Sequence, residues 1–281
     1  MVRDVTLGQY FPAKSVIHRL DPRIKVILTF LFIVFVFVAR NFAGLFLMIA
    51  LEIGVMVSSG VPVKQYFKSL KAVLFIVIFT GVLNLFYGTG EPLVTLFGFM
   101  QITMNGIQNA IFIAIRIMSL ILFSAVLTFT TTPTELTDAL ERIMRPLKVL
   151  HVKVHEIAMM MTIALRFVPT LLEETDKIMS AQKARGADLE SGGLMQRIKA
   201  LIPILIPLFV SSFRRAYDLA MAMECRCYHG GEGRTKMKQL HMATRDGWAI
   251  AISVAICALV IVLNLFTDTL PATAKQMTLP S

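Results

Sequence analysis

The chemically richest stretch of the chain is Cys225-Arg226-Cys227-Tyr228-His229. Two thiolates and an imidazole are side chains that Zn²⁺ accepts as ligands. The two cysteines are separated by one residue, whereas common zinc motifs separate them by two, and the sequence contains no second cluster of this kind. Small packed cysteines are therefore the favoured interpretation, and we expect no metal site and no other cofactor.

The sequence also lacks the patterns of ATP binding and of nucleophilic catalysis. No G-x-x-x-x-G-K-[ST] stretch occurs, so no P-loop is predicted. The glycine-rich run GGEGR at 230–234 has the composition of a turn rather than of a phosphate cradle. No Ser, Cys or carboxylate stands in a recognisable catalytic motif. These absences are evidence against a catalytic role.

Two arginines close two segments that are built alike. Each segment begins apolar, carries proline in its first half, and ends in a polar turn: Ala184-Arg185-Gly186 or Cys225-Arg226-Cys227. An arginine at a helix end can satisfy the last carbonyls and the negative end of the helix dipole. Its rigid fork of donors also suits a carboxylate pocket on a partner. Spacing alone leaves both interpretations open.

Methionine usage is consistent with a docking surface around these ends. Nine of the 17 methionines lie between residues 144 and 237. Methionine packs adaptably and is frequent on surfaces that bind partners. For any single one of them, a place in a methionine-rich core is the favoured interpretation.

The elements that position these arginines are predicted from composition. The chain has 281 residues, of which 56% are hydrophobic and only 16% are charged, against about 25% charged residues in soluble domains. Five segments are apolar enough to cross the hydrocarbon of a bilayer. They lie at 24–40, 42–59, 70–87, 106–130 and 247–266. The fold class is therefore an all-α polytopic membrane protein with about five transmembrane helices.

The distribution of Lys and Arg predicts the orientation of these helices. Residues 1–25 hold five of the 28 basic residues, residues 60–71 hold three, and residues 131–246 hold seventeen. The remaining three are Arg40, Arg116 and Lys275. Because cytoplasmic loops carry the excess of Lys and Arg, we expect a cytoplasmic N-terminus and an external C-terminus. The connection at 88–103, which has no Lys or Arg, is expected outside.

The block between the fourth and fifth spans is expected to be a cytoplasmic domain of long amphipathic helices. The first helix begins at Pro133, with Thr132 or Thr134 as its cap, and stops near Arg145. The second runs from about 155 to 185 and the third from about 194 to 226. The apolar run at 200–213 is too short to span and is read as a buried or interfacial segment. The predicted domains are 1–131, 132–246 and 247–281.

Arg116 is the one charged residue well inside a predicted span, apart from Glu52 in the second. An isolated arginine there costs on the order of 3 kcal/mol to insert. It should face the bundle interior, a polar cavity or a partner, and Glu52 is the candidate neighbour. A structural ion pair is favoured over a substrate contact.

Four stretches carry a resemblance to a known family. The chain resembles the transmembrane T component of energy-coupling factor (ECF) transporters, ATP-driven importers of vitamins and micronutrients. The family's signature is a pair of short motifs with a central arginine, which Ala184-Arg185-Gly186 fits fully. Cys225-Arg226-Cys227 keeps the arginine without the flanking Ala and Gly. The matching stretches are GQYFPAKSVIHRLDPRIK at 8–25, TTTPTELTDALERIMRPLK at 130–148, EIAMMMTIALRFVPTLLEETDKIMSAQKARGAD at 156–188 and LIPLFVSSFRRAYDLAMAMECRCYHGG at 205–231.

The resemblance implies a scaffold, not an enzyme, in a bacterial or archaeal cell membrane. Its partners would be two cytoplasmic ABC ATPase subunits and a membrane-embedded S component that captures the substrate; nucleic acid is not expected. Each arginine motif would dock in a groove of one ATPase, at Ala184, Arg185 and Gly186 or at Cys225, Arg226 and Cys227. The helices would pass the movement of the ATPases to the S component.

Two rival functions lack support in the sequence. A membrane-embedded enzyme would need a nucleophile or a metal constellation, and the sequence shows neither. A self-sufficient permease would need a broken-helix site near the middle of the bilayer, but the spans carry no paired Gly/Pro interruptions, and Gly54 and Gly81 are single glycines. The transported substrate is not encoded in a recognisable motif; vitamins and ions such as cobalt or nickel all occur in the family.

Overall fold

Helices account for most of the architecture, which we describe from a computed structural model of the chain. The structure describes residues 9–86, 92–96, 100–187, 193–230 and 242–269. Contacts between residues divide the chain into two units. The first, here called the membrane unit, contains the helices before residue 131 and the last helix. The second, the helical arm, contains the three helices between them.

Five helices build the membrane unit: α1 (Pro22–Val38), α2 (Phe42–Ser59), α3 (Val63–Phe86), α4 (Met104–Thr130) and α8 (Thr244–Thr269). Apolar side chains of α1, α2, α4 and α8 meet in a buried core in which the rings of Phe32 and Phe123 stack with centroids 3.7 Å apart. Most other large apolar side chains of these helices point outward, as lipid-facing helices require. The predicted all-α membrane fold is confirmed.

The predicted spans and the helices differ in two respects. By length and composition, the described helices that could cross a membrane are α2, α3, α4, α8 and the helix at Val154–Ala184. That last helix qualifies through its apolar first half, although we predicted it in the cytoplasmic block. In contrast, α1 has 17 residues, or roughly 26 Å at 1.5 Å per residue, somewhat short of the hydrocarbon thickness.

Residues 60–71 are not the loop that their three lysines indicated. The turn after α2 is only three residues long, and Gly60 makes it with φ of 68°, a conformation that suits glycine. Helix α3 therefore starts at Val63, seven residues before the predicted span. Lys64, Lys68 and Lys71 lie exposed on one face of its first turns. The connection before α4 contains a short antiparallel hairpin, β1 (Pro92–Leu96) with β2 (Met100–Thr103), that the sequence did not predict.

One end of the membrane unit is tied together by buried polar groups. The backbone N–H of Asp21 donates to Asp246 Oδ1 at 3.0 Å, which joins the first turns of α1 and α8. Asp246 Oδ2 accepts from the N–H of Ala243 at 2.8 Å. Lys25 Nζ donates to the carbonyl of Thr130 at 2.9 Å and so joins α1 to the last turn of α4. The ends of three helices are thereby held at one level.

The helical arm contains α5 (Pro133–Ile143), a 3₁₀ turn at 145–150, α6 (Val154–Ala184) and α7 (Leu194–Glu224). All three predicted helices are confirmed within two residues at each end. His155 Nδ1 lies 2.9 Å from Glu141 Oε1 and links α6 to α5. Helices α6 and α7 each have 31 residues and pack against each other.

Candidate docking ends of helices α6 and α7

The end of α6 is closed by a complete hydrogen-bonded cap. The N–H of Gly186 donates to the carbonyl of Lys183, and the N–H of Ala187 donates to the carbonyl of Gln182, both at 3.0 Å. Gly186 adopts φ of 85°. These two bonds around a left-handed residue form the Schellman motif. Arg185 is the residue directly before the left-handed position.

The end of α7 has the same construction with a different residue at the turning point. The N–H of Cys227 donates to the carbonyl of Glu224 at 2.8 Å, and the N–H of Tyr228 donates to the carbonyl of Met223 at 3.1 Å. Cys227 has φ of 56°, in the region that usually favours glycine. The residues of Cys225-Arg226-Cys227 therefore occupy the same cap positions as those of Ala184-Arg185-Gly186, with Cys227 in the position of Gly186.

The side chains of Arg185 and Arg226 are not needed for these caps. Two carbonyls in the last turn of each helix accept from backbone N–H groups, as given above. Both arginines are exposed, and neither forms a side-chain hydrogen bond or ion pair with any residue that the structure describes. Ala184, Gly186, Cys225 and Cys227 are exposed as well. Each motif thus presents an unoccupied guanidinium on a rigid turn.

The two arginines lie at opposite ends of an antiparallel helix pair. Arg215 Nη2 on α7 lies 2.9 Å from Glu174 Oε2 on α6, and Gln182 Nε2 donates to the carbonyl of Pro203 at 3.3 Å. Arg226 shares a cavity with Met159 and Arg166 of α6. Those residues precede Arg185 by about 19 to 26 positions, or roughly 30–40 Å of helix at 1.5 Å per residue. The structure does not bring the two motifs together.

The cavity beside Arg226 adds a residue that the sequence reasoning missed. It has a volume of about 700 Å³, and its walls include Arg166, Arg226, Tyr228 and His229. Arg166 is exposed and faces the same space as Arg226. The sequence feature that marks Arg166 is that it is the only Lys or Arg in the apolar first half of α6. The α7 end thus offers two guanidinium groups to a ligand or partner.

The cysteines of the second motif do not gather metal ligands in the part of the chain that the structure describes. Cys225, Cys227 and His229 are exposed. No group of three or more His, Cys, Asp or Glu side chains among the described residues could hold a metal ion. The position of Cys227 follows instead from the helix cap.

Helix α7 carries a long apolar face that the sequence reasoning partly misjudged. We read 200–213 as buried or interfacial, and only Ile204 of its side chains is buried, at 4% exposure. Most of the other apolar side chains in this run are exposed, and Phe213 reaches 72% exposure. The exposed apolar face of α7 is defined here as Leu201, Ile202, Leu205, Ile206, Phe209, Val210, Phe213 and Tyr217. Exposed apolar patches of this extent mark interaction sites.

Arg116 has a structural partner, and it is not Glu52. Its Nη2 donates to the carbonyl of Ala39 at 2.7 Å, and its guanidinium lies 4.6 Å from the ring centre of Phe112. Ala39 is the C-cap of α1, so Arg116 satisfies a carbonyl at the end of that helix. Glu52 accepts a hydrogen bond from Ser119 instead. The predicted Arg116–Glu52 pair is wrong because the two groups bind different neighbours.

Comparison with known proteins agrees with this arrangement. The family described as "Cobalt transport protein", CbiQ, matches residues 13–237. The chain belongs to the CbiQ family. It is 51% identical over 264 residues to the energy-coupling factor transporter transmembrane protein EcfT of Ruminiclostridium cellulolyticum, covering 94% of this chain and 98% of that protein. It is 46% identical over 264 residues to the EcfT of Bacillus subtilis, covering 94% and 100%.

Membership in the CbiQ family fixes the coarse function. The relatives are named as transmembrane components of energy-coupling factor transporters over nearly their whole length. The chain is therefore a multi-pass membrane component of such a transporter. The resemblance recognised from the arginine motifs and their flanking helices is confirmed.

Proposed function

We propose that this chain couples ATP hydrolysis by two ABC ATPase subunits to substrate uptake through a separate S component. The chain itself is non-catalytic: it transmits movement through the helical arm. Arg185 docks on one ATPase subunit and Arg226 on the other. The S component packs against the exposed apolar face of α7 and lies in the membrane beside it.

The observation that carries this proposal is the pair of matched caps at opposite ends of α6 and α7. A guanidinium on a rigid turn can form two parallel hydrogen bonds with a carboxylate. Because the two arginines are separated by roughly 30–40 Å of helix, they cannot enter one pocket. Two pockets on two subunits, or on two halves of a dimer, fit this spacing.

The exposed apolar face of α7 supports a membrane-embedded partner. Its large side chains, including Phe209 at 60% exposure and Phe213 at 72%, have no cover within the described chain. A soluble partner would leave such a face in water whenever it dissociated. A small membrane protein can exchange on this face while lipid covers the remainder.

The orientation and the substrate are part of the same proposal. The Lys and Arg distribution supports a cytoplasmic N-terminus in a prokaryotic cell membrane. The substrate is a vitamin or micronutrient, selected by the S component rather than by this chain. The family description names cobalt, whereas the EcfT relatives are named without a substrate.

Purification of the tagged chain from its own membranes in mild detergent tests the proposal. We expect two P-loop ATPase polypeptides and at least one small membrane protein to copurify, as identified by mass spectrometry. The identity of that small protein then points to the substrate. A chain that purifies alone, or only with soluble proteins that lack a P-loop, would overturn the assignment.

A further inference from the structure

The membrane unit contains a cleft that the coupling function does not use. It has a volume of about 540 Å³ and lies among α1, α2, α4 and α8. Its walls are mainly apolar and include Leu28, Val55, Phe123 and Ile252. Small residues on the facing helices leave the space open: Gly54 lines it, and a Cβ atom added there would meet nothing within 4 Å. The volume falls within the range of about 300–1,000 Å³ that small-molecule sites occupy.

The charged lining of this cleft lies at one end. Lys25 and Thr130 line it beside Arg245, at the level where α1, α4 and α8 are tied together. The ammonium of Lys25 already donates to the carbonyls of Thr130 and His18. Arg245 is exposed and forms no hydrogen bond or ion pair through its side chain with any residue that the structure describes.

The position of Arg245 is not explained by helix stability. It lies in the first turn of α8, where the helix dipole disfavours a cation. Trp248 follows one turn later, lines the same cleft and is 71% exposed. Tryptophan concentrates at the boundary between hydrocarbon and headgroups. An available cation and an interfacial tryptophan therefore mark the polar end of an otherwise apolar cleft.

We propose that this cleft binds one glycerophospholipid from the leaflet at this end of the membrane unit. An acyl chain lies among the apolar walls, and the phosphate accepts hydrogen bonds from Arg245. Trp248 lies at the level of the glycerol backbone. A ligand with one long apolar part and one anionic end matches the one-sided charge of the cleft. In the proposed orientation the lipid belongs to the cytoplasmic leaflet.

Trp248 is the only tryptophan in the chain, so its fluorescence reports on the cleft directly. We would titrate the delipidated full-length chain in detergent with phosphatidylglycerol brominated on its acyl chains, because bromine quenches indole fluorescence. We expect quenching that saturates at one lipid per chain. Quenching that only follows the fraction of lipid in the micelle would show general partitioning and would overturn the proposal.

Two variants locate the lipid, and each has a matched control. Gly54→Leu fills the cleft and should abolish the saturable quenching. Gly81→Leu is the matched control, because a Cβ atom added at this glycine of α3 also meets nothing within 4 Å. It should leave the saturable quenching unchanged. Arg245→Ala should weaken phosphatidylglycerol binding by about tenfold, since a hydrogen bond to a charged group is lost. Arg40→Ala removes an exposed positive charge elsewhere in the membrane unit and should have no effect.

A brominated diacylglycerol with the same chains separates the two parts of the site. It lacks the phosphate, so it should bind wild type and Arg245→Ala equally and bind Gly54→Leu no better than background. If Gly54→Leu proves less stable than Gly81→Leu in a thermal melt, the phosphatidylglycerol affinity of Arg245→Ala alone decides whether the proposal holds. Equal phosphatidylglycerol affinity of Arg245→Ala and wild type would contradict the assignment of the phosphate.

Discussion

Cys227 offers the sharpest test of the claim that the two arginine motifs are built alike. Its φ of 56° places a Cβ-bearing residue in the left-handed region, which costs about 1–2 kcal/mol for residues other than glycine. Cys227→Gly removes that cost. Glycine also gives the unfolded chain extra freedom, worth about 0.5–1 kcal/mol. The expected net gain for the α7 cap is about 0.5–1 kcal/mol.

The reverse change at the other cap is Gly186→Ala. A Cβ atom there meets nothing within 4 Å, so the loss comes from φ alone and should reach about 1 kcal/mol. Gly193→Ala is the matched control, because Gly193 has φ of −71° and also open space around it. It should leave the α6 cap unchanged.

Amide hydrogen exchange measures these changes at the bonds concerned. The N–H of Tyr228 and the N–H of Ala187 close the two caps. We expect Tyr228 to exchange about two- to fivefold more slowly in Cys227→Gly, and Ala187 about fivefold faster in Gly186→Ala. Cys227→Ala removes the thiol but keeps the strain, so it should match wild type. If Cys227→Ala slows exchange as much as Cys227→Gly, the thiol matters and the backbone argument fails.

Three further predictions follow from the same structure. Arg116→Leu should lower the thermal stability of the purified chain, because the carbonyl of Ala39 loses its donor; a buried unsatisfied group costs about 1–3 kcal/mol. Arg116→Lys should retain part of the lost stability, and a Leu variant as stable and as active as wild type would refute the structural role of Arg116. Phe209→Asp with Phe213→Asp on the exposed apolar face of α7 should reduce copurification of the S component at least tenfold while the ATPases remain bound; equal loss of both partners would indicate a misfolded arm. Reporter fusions at residue 95 and at the C-terminus should both report the external side, and a cytoplasmic signal from the C-terminal fusion would refute the five-span orientation.

The helix ends that carry strong local signals could be predicted from the sequence. Pro133 at the first turn of α5 and Gly186 after α6 lie where their backbone preferences place them. The start of α3 could not be predicted in the same way. Lys64, Lys68 and Lys71 resemble a polar connection, although at spacings of four and three residues they also fit one face of a helix.

The remaining features depend on contacts between distant residues. Nothing local to Cys227 indicates a left-handed residue; the alignment with Gly186 appears only once both sets of cap bonds are seen. The sequence suggested Glu52 as the partner of Arg116. The actual partner depends on where α1 ends in the helix bundle, which places the carbonyl of Ala39 beside the Arg116 guanidinium. The exposure of the α7 face likewise depends on how α6 and α7 pack, which composition does not specify.

Recovery of the ATPase pair by the Arg185→Ala/Arg226→Ala double variant tests the central claim most directly. Cutting a hydrogen-bonded interfacial charge pair costs about 2–5 kcal/mol, so each single variant should weaken complex formation at least tenfold. The double variant should lose the ATPases and substrate uptake while it still inserts in the membrane and retains its S component. Lysine at either position should rescue only partly, because its point charge cannot replace the planar fork.

Arg214→Ala is the control, since Arg214 is an exposed arginine of α7 outside both caps. It should bind the ATPases like wild type. A purely structural role of Arg185 and Arg226 would instead give losses of about 0.3–1 kcal/mol in helix stability and near-complete rescue by lysine. Undiminished ATPase recovery by the double variant would contradict the docking role of both arginines.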